Sequence, residues 1–174
     1  FLLGAGGVRE VALLAAAERT SLPGLLLVHG AFLVVFYAYL LDRLSIDRVL
    51  PLLLGVAALG LLAVTANLAA AVAVGPLLAL GWAAHRTDRP VGFETVLIVA
   101  GAGLVGLVEL VYVKEQAGPL RMNTVFKTYM QVWVLWGAAA GVALPAFVRW
   151  AGGELPTPGT RSRGLRAGLA AAVV

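Results

Sequence analysis

The chain has 174 residues, of which 61% are hydrophobic and 13% charged, and its mean hydropathy is +0.94. A water-soluble globular domain carries roughly a quarter charged residues, so this balance excludes one and reads as a membrane protein. The net charge of +4 is scattered through short loops without a basic stripe or interleaved aromatics, which excludes a nucleic-acid surface, and the absence of cysteine excludes disulfides and thiol chemistry.

Residues 1–21 place Arg9-Glu10 and Glu18-Arg19 around a short apolar piece, too little to cross a hydrocarbon core of about 30 Å, and are expected to form an interfacial helix or a loop. Residues 22–174 are expected to belong to one multi-span transmembrane domain. The first span is 22–41, which contains His29 and ends in Tyr37 and Tyr39, placed for the membrane interface. His29 is expected to satisfy a helix neighbour. A charged connector over 42–48 follows.

The apolar run 49–84 as a single helix would be about 54 Å long and would overshoot any bilayer. It is expected to break near Thr65-Ala-Asn67 into two short spans, 49–64 and 68–84, or to form a re-entrant pair. After a polar loop over 85–90, the fourth span covers 91–113, with Glu94 near its start and Glu109 near its end. Gly118-Pro119 marks a tight turn into the fifth span, 123–148, whose Gly137-Ala-Ala-Ala-Gly141 offers a small-residue face for close helix packing. A Gly- and Pro-rich loop leads to a further apolar run over 165–174. The chain starts without Met and stops inside that run, so it is read as a fragment of a larger protein. The expected fold is an all-α polytopic membrane helical bundle of about five spans plus a truncated sixth.

The chemistry-bearing residues gather around the Gly118-Pro119 turn. Asn123, Lys127 and Gln131 fall four apart and form one polar stripe roughly 12 Å long on the fifth helix. Inside a span a Lys costs about 2.5–3.5 kcal/mol by insertion scales, so Lys127 should lie near an interface, face other helices or line a wet cavity. Counted away from the turn, Glu109 and Lys127 lie at similar depth on two antiparallel arms, which predicts a shared polar site. Lys127 and Arg121 read either as a clamp on a phosphate or as interfacial cations reaching for headgroups. Glu109 reads as a general base for an acceptor hydroxyl or as the counter-ion of Lys127, the latter favoured. Asn123 or Thr124 equally serves as a helix cap. Tyr112, Tyr129, Trp133 and Trp136 read as interface or packing residues before a sugar-stacking platform.

The segment Glu109-Leu-Val-Tyr-Val-Lys-Glu-Gln-Ala-Gly-Pro-Leu-Arg-Met-Asn-Thr-Val-Phe-Lys-Thr-Tyr-Met-Gln-Val-Trp133 resembles the most recognisable stretch of the YYY-domain (Chlor_Arch_YYY) integral membrane proteins of archaea and Chloroflexi. The specific part is Arg-Met-Asn-Thr-Val-Phe-Lys, and the other spans match loosely. The resemblance implies an architecture similar to the C-type glycosyltransferases, which take sugars from polyprenyl-phosphate carriers. Read from the residues themselves, the candidate catalytic residue is Glu109 and the candidate substrate-binding residues are Arg121, Asn123, Lys127, Gln131 and Tyr112. The acidic, His-rich Asp-Leu-His-Pro-His pattern of that family has no match here, so a catalytic carboxylate is expected outside this chain.

No dinucleotide-binding glycine fingerprint, phosphate-binding loop or metal-ligand cluster is present, and no cofactor or metal is identified beyond a polyprenyl-phosphate sugar donor. The expected partners are the lipid bilayer and the lipid-linked sugar, in a multi-pass protein of the cell membrane. Arg43, Arg48, Arg86, Arg89 and the arginines from 149 onward outnumber the Lys and Arg of the other side, which puts the 113–123 hairpin on the outer face. The competing reading is a transporter or non-catalytic membrane scaffold with an intramembrane Glu/Lys pair.

Overall fold

The computed structural model describes residues 11–44, 68–86, 92–113 and 121–152, with helical positions at 50, 52, 54–57, 60 and 61. Four helices carry the fold: α1 over Leu22–Arg43, α2 over Ala69–His85, α3 over Phe93–Val108 and α4 over Met122–Ala151. Two short strands, β1 over Val11–Leu13 and β2 over Val111–Val113, pair antiparallel with Ala12 opposite Tyr112. A 3-10 turn at Ala16–Glu18 leads from β1 toward α1.

Local sequence accounts for the helix boundaries. Ser21 caps α1 by accepting a hydrogen bond from Gly24 N at 3.4 Å, and Pro23 stands in the first turn, where its missing N–H is no loss. Arg43 lies in the last turn of α1 and Glu94 in the first turn of α3, each at the helix end whose partial charge opposes its own. α4 runs on through Pro145 to Ala151, a length of about 45 Å.

α1 packs on α2 and α4, α2 on α3, and α3 on α4, so the four helices close a ring. α1 and α4 run side by side in one direction, since His29 meets Tyr129 and, further along both, Phe36 meets Trp136. α3 runs the opposite way: its last residues lie beside Thr20 and its first turn reaches Tyr39. The centre is filled by Phe36, Leu40, Leu77, Leu80, Ile98 and Trp136, all fully buried. Trp136 donates its indole N–H to the Ile98 carbonyl at 3.1 Å, and that edge of the ring comes so close to α3 that a Cβ on Gly101 would collide with it.

Two expectations are corrected here. The fourth span was expected to run to Val113, but α3 ends at Val108 and the chain turns into β2. Val111, Tyr112 and Val113 are β-branched or aromatic, and β1 offers them backbone partners, continued by Leu14 N donating to Leu110 O at 2.8 Å. In its described part, the stretch 11–21 is likewise a strand and a 3-10 turn, not an interfacial helix. A two-stranded ribbon keeps unpaired edges, which hydrocarbon cannot satisfy, so the ribbon belongs at the wet end of the bundle. The fold is therefore helical with a small β-cap.

By length and composition, α1 and the 122–148 portion of α4 are able to cross a membrane, while α2 and α3 are apolar but shorter, at 17 and 16 residues. The break expected at 65–67, the turn at 118–119 and the run 165–174 lie outside the described residues.

Candidate functional site

Where α3 ends and α4 begins, Glu109 is 1% exposed, and among the described residues it is the only Asp, Glu, Lys or Arg that is fully buried. A carboxylate in that position must be neutralised and hydrogen-bonded to be tolerated. Four donors converge on it. Thr20 gives its backbone N–H to Oε2 at 2.7 Å and its hydroxyl to Oε1 at 2.7 Å. Arg121 Nη1 stands 3.1 Å from Oε1, and the Tyr129 hydroxyl donates to the same oxygen at 3.4 Å.

Arg121 is itself held on several sides. Its Nη2 donates to Thr20 Oγ1 at 2.8 Å and its Nη1 to the Val108 carbonyl at 3.3 Å, which satisfies one of the orphan carbonyls at the end of α3. The knot thus ties four pieces of chain together: the segment entering α1, the end of α3, the residue preceding α4 and the second turn of α4. Thr20 is the member that sequence reading missed. A lone Thr before a helix carries no spacing signal, and its partner is 89 positions away.

The predicted residues divide between two faces of α4. Arg121 and Tyr129 turn inward with Val132 and Trp136, whereas Lys127 and Gln131 are exposed and Asn123 is half-buried. The cation at Glu109 is therefore Arg121, where Lys127 was favoured. Counting along two helical arms fails because the chain leaves the helix after Val108 and enters β2, so Val111–Val113 do not advance at a helical rise. Tyr112 is half-buried in β2, opposite Ala12 and outside the knot.

Asn123 and Thr124 are not helix caps. α4 already starts at Met122, the Arg121 carbonyl accepts from Val125 N at 2.9 Å, and Thr124 Oγ1 accepts from Val113 N at 3.3 Å, fastening β2 to α4. Tyr129 and Trp136 pack inside the bundle, and Trp133 is half-exposed with its edge toward Phe32.

His29 is 1% exposed, and neither ring nitrogen has a hydrogen-bond partner, contrary to the expected helix neighbour. It instead meets Tyr129 and Trp136 edge-on, with centroids at 4.5 Å and 5.4 Å. At the opposite end of the bundle, Glu94 accepts a hydrogen bond from the Tyr39 hydroxyl and pairs with Arg43 at 3.5 Å. Arg43 also lies over the Tyr39 ring, and the Tyr37 hydroxyl donates to the Ala73 carbonyl at 2.8 Å. Tyr37 and Tyr39 thus each tie α1 to a neighbouring helix. No group of three or more His, Asp or Glu able to hold a metal occurs among the described residues.

A family model described as "Uncharacterized membrane protein (DUF2298)" matches residues 1–136, a range that contains the whole of the Glu109 knot. No curated protein and no solved structure matches the chain.

Proposed function

We propose a function from the premise that the chain belongs to the DUF2298 family of uncharacterized membrane proteins: it is a membrane-embedded enzyme of glycosyltransferase type, acting at the outer face on a polyprenyl-phosphate-linked sugar. The observation that carries this reading is the Arg121–Glu109 pair at the end of the bundle, with Asn123 and Lys127 on the first turns of the helix that starts there. In the reaction, an acceptor hydroxyl oxygen forms a bond to the anomeric carbon and loses its proton to water at the outer face, while the bond from that carbon to the carrier phosphate oxygen breaks. The phosphate leaves with its negative charge, which either Arg121, on the inward side of this end of α4, or Lys127, on its exposed side, stabilises.

Glu109 acts here as the anchor that fixes the Arg121 guanidinium, since four donors already occupy its oxygens. Asn123, Gln131 and Tyr112 complete the proposed substrate contacts around the same end of α4. The test is to replace Arg121 and Lys127 by Ala, separately and together, and to follow consumption of a radiolabelled polyprenyl-phosphate sugar in membranes containing the inserted protein. Loss of turnover at normal insertion supports the reading, and unchanged turnover removes it.

A second reading, a non-catalytic membrane scaffold, draws on the saturation of Glu109. A carboxylate that accepts from Thr20, Arg121 and Tyr129 at once is built to hold helices together. A transporter would instead use this charged pair as a gate or ion relay. Under the scaffold reading, Arg121→Ala lowers the stability of the inserted protein and no sugar-dependent signal exists to lose.

A further inference from the structure

Arg121 is held in a way that leaves one flank of its guanidinium over. A guanidinium carries five N–H donors in a rigid planar fork. Here Nη1 stands 3.1 Å from Glu109 Oε1, Nη2 donates to Thr20 Oγ1 at 2.8 Å, and the Thr20 hydroxyl donates to the same Oε1 at 2.7 Å. Those four atoms close a ring over the tip of the guanidinium. Nη1 also donates to the Val108 carbonyl at 3.3 Å, which occupies the flank on its own side. What remains is the other flank, made by Nε–H and the second Nη2–H. Nε bonds to nothing among the described residues, but it is not sealed from solvent as both nitrogens of His29 are.

Two parallel N–H donors on one edge match two oxygens of a single phosphate or carboxylate. Charge favours the same class of ligand. The Arg121 side chain is 12% exposed against 1% for Glu109, so the pair turns its positive end toward the water. An anion on the open flank is nearer the guanidinium than the carboxylate, which lies across the tip. A lysine in the same place would present a point charge without such an edge.

We propose that the Nε–Nη2 flank of Arg121 is the seat of one phosphate group, and that Thr20 is the residue that positions it. This rests on the reading of the protein as acting on a polyprenyl-phosphate-linked sugar, and it assigns the carrier phosphate to Arg121. The flank takes the two non-bridging oxygens. The bond that breaks runs to a bridging oxygen, so the grip on the phosphate persists while its charge grows. Thr20 acts through Arg121: bonded to Glu109 on one side and to Nη2 on the other, its hydroxyl fixes the plane of the guanidinium and with it the direction of the open flank.

The test uses the whole protein in bicelles, with farnesyl phosphate as the probe and the Arg121 Nε–H signal followed by proton–nitrogen correlation NMR. A seated phosphate shifts that signal downfield to saturation, while the Nε–H signal of Arg43, paired with Glu94 at the other end of the bundle, stays in place. Farnesol, which lacks the phosphate, moves neither. Thr20→Val raises the dissociation constant of farnesyl phosphate about tenfold, and Thr20→Ser restores it. Arg121→Lys keeps the charge, loses the edge and weakens binding at least as much. An Arg121 signal that does not move throughout the titration of the wild type overturns the seat, and unchanged affinity in Thr20→Val overturns the positioning role. An equal response to phosphatidate makes the occupant an ordinary headgroup and overturns the assignment to the carrier. Sugar turnover is scored separately. A shifted Arg121 signal without turnover keeps the seat and removes the transferase, whereas turnover without the shift keeps the transferase and removes the seat.

Discussion

Arg121 Nη1 stands 3.1 Å from Glu109 Oε1, across the seam where the chain has left α3 for β2 and is about to enter α4. The side chains are 12% and 1% exposed, so both charges are largely withdrawn from water and each is the chief compensation for the other. Breaking one member of such a pair costs about 3–5 kcal/mol because the survivor is left uncompensated. Glu109→Ala and Arg121→Ala should each lower the unfolding free energy in bicelles by that order, and the double variant should lose much less than the sum. Additive losses would show that the two residues do not act as a unit.

Thr20 is wired to both members of the pair, with its hydroxyl donating to Glu109 and accepting from Arg121. Thr20→Val keeps the shape and the backbone donor but leaves two buried groups short of a partner, at a cost of about 1–3 kcal/mol. Thr20→Ser should recover most of the loss in the same denaturation assay. Equal stability of the Val and Thr proteins would remove the hydroxyl from the knot.

At Gly101 on α3, the Trp136 indole of α4 occupies the space a side chain would need. Gly101→Ala should destabilise by about 1–3 kcal/mol through overpacking. Combined with Trp136→Leu, which vacates that space, the Gly101→Ala substitution should cost little more than Trp136→Leu alone. A Gly101→Ala protein of normal stability would mean that the two helices are further apart.

His29 is buried with both nitrogens unpartnered, a state that costs about 1–3 kcal/mol relative to an apolar side chain of the same shape. His29→Phe should therefore leave stability unchanged or raise it, with Tyr129 and Trp136 still packed against the new ring. A clear loss in melting temperature would show that the imidazole has a hydrogen-bonding role in the membrane.

At the far end, Glu94 joins α3 to α1 through Tyr39 and Arg43, and the Arg43 side chain is 34% exposed. Screening by solvent makes this link weaker than the Glu109 knot. Glu94→Gln should cost about 1 kcal/mol or less, measured in the same bicelle system. A cost matching that of Glu109→Ala would reverse the ranking of the two ends.

The helices were legible because their signal is local. An uninterrupted apolar run bounded by Ser21-Leu-Pro23 or by Gly92-Phe-Glu94 fixes a helix with no knowledge of its neighbours, and α1, α2 and α4 lie within three residues of their expected limits. The residues 111–113 were misread because an apolar β-branched triplet continues a hydrophobic helix as well as it forms a strand. The choice was made by β1, roughly a hundred positions earlier.

The polar site divides in the same way. Sequence by itself established that Glu109, Arg121 and Lys127 sit near the end of an apolar bundle, since hydrocarbon expels charge wherever the chain places it. It could not say which cation meets the carboxylate. That depends on the rotation of α4 about its axis, which burial of Val132 and the bond from Trp136 to α3 set, and on a strand that breaks the helical count. Rotation and long-range pairing are properties of the assembled ring, so only the tertiary structure turned Arg121 inward to Glu109 and Lys127 out to the opposite face.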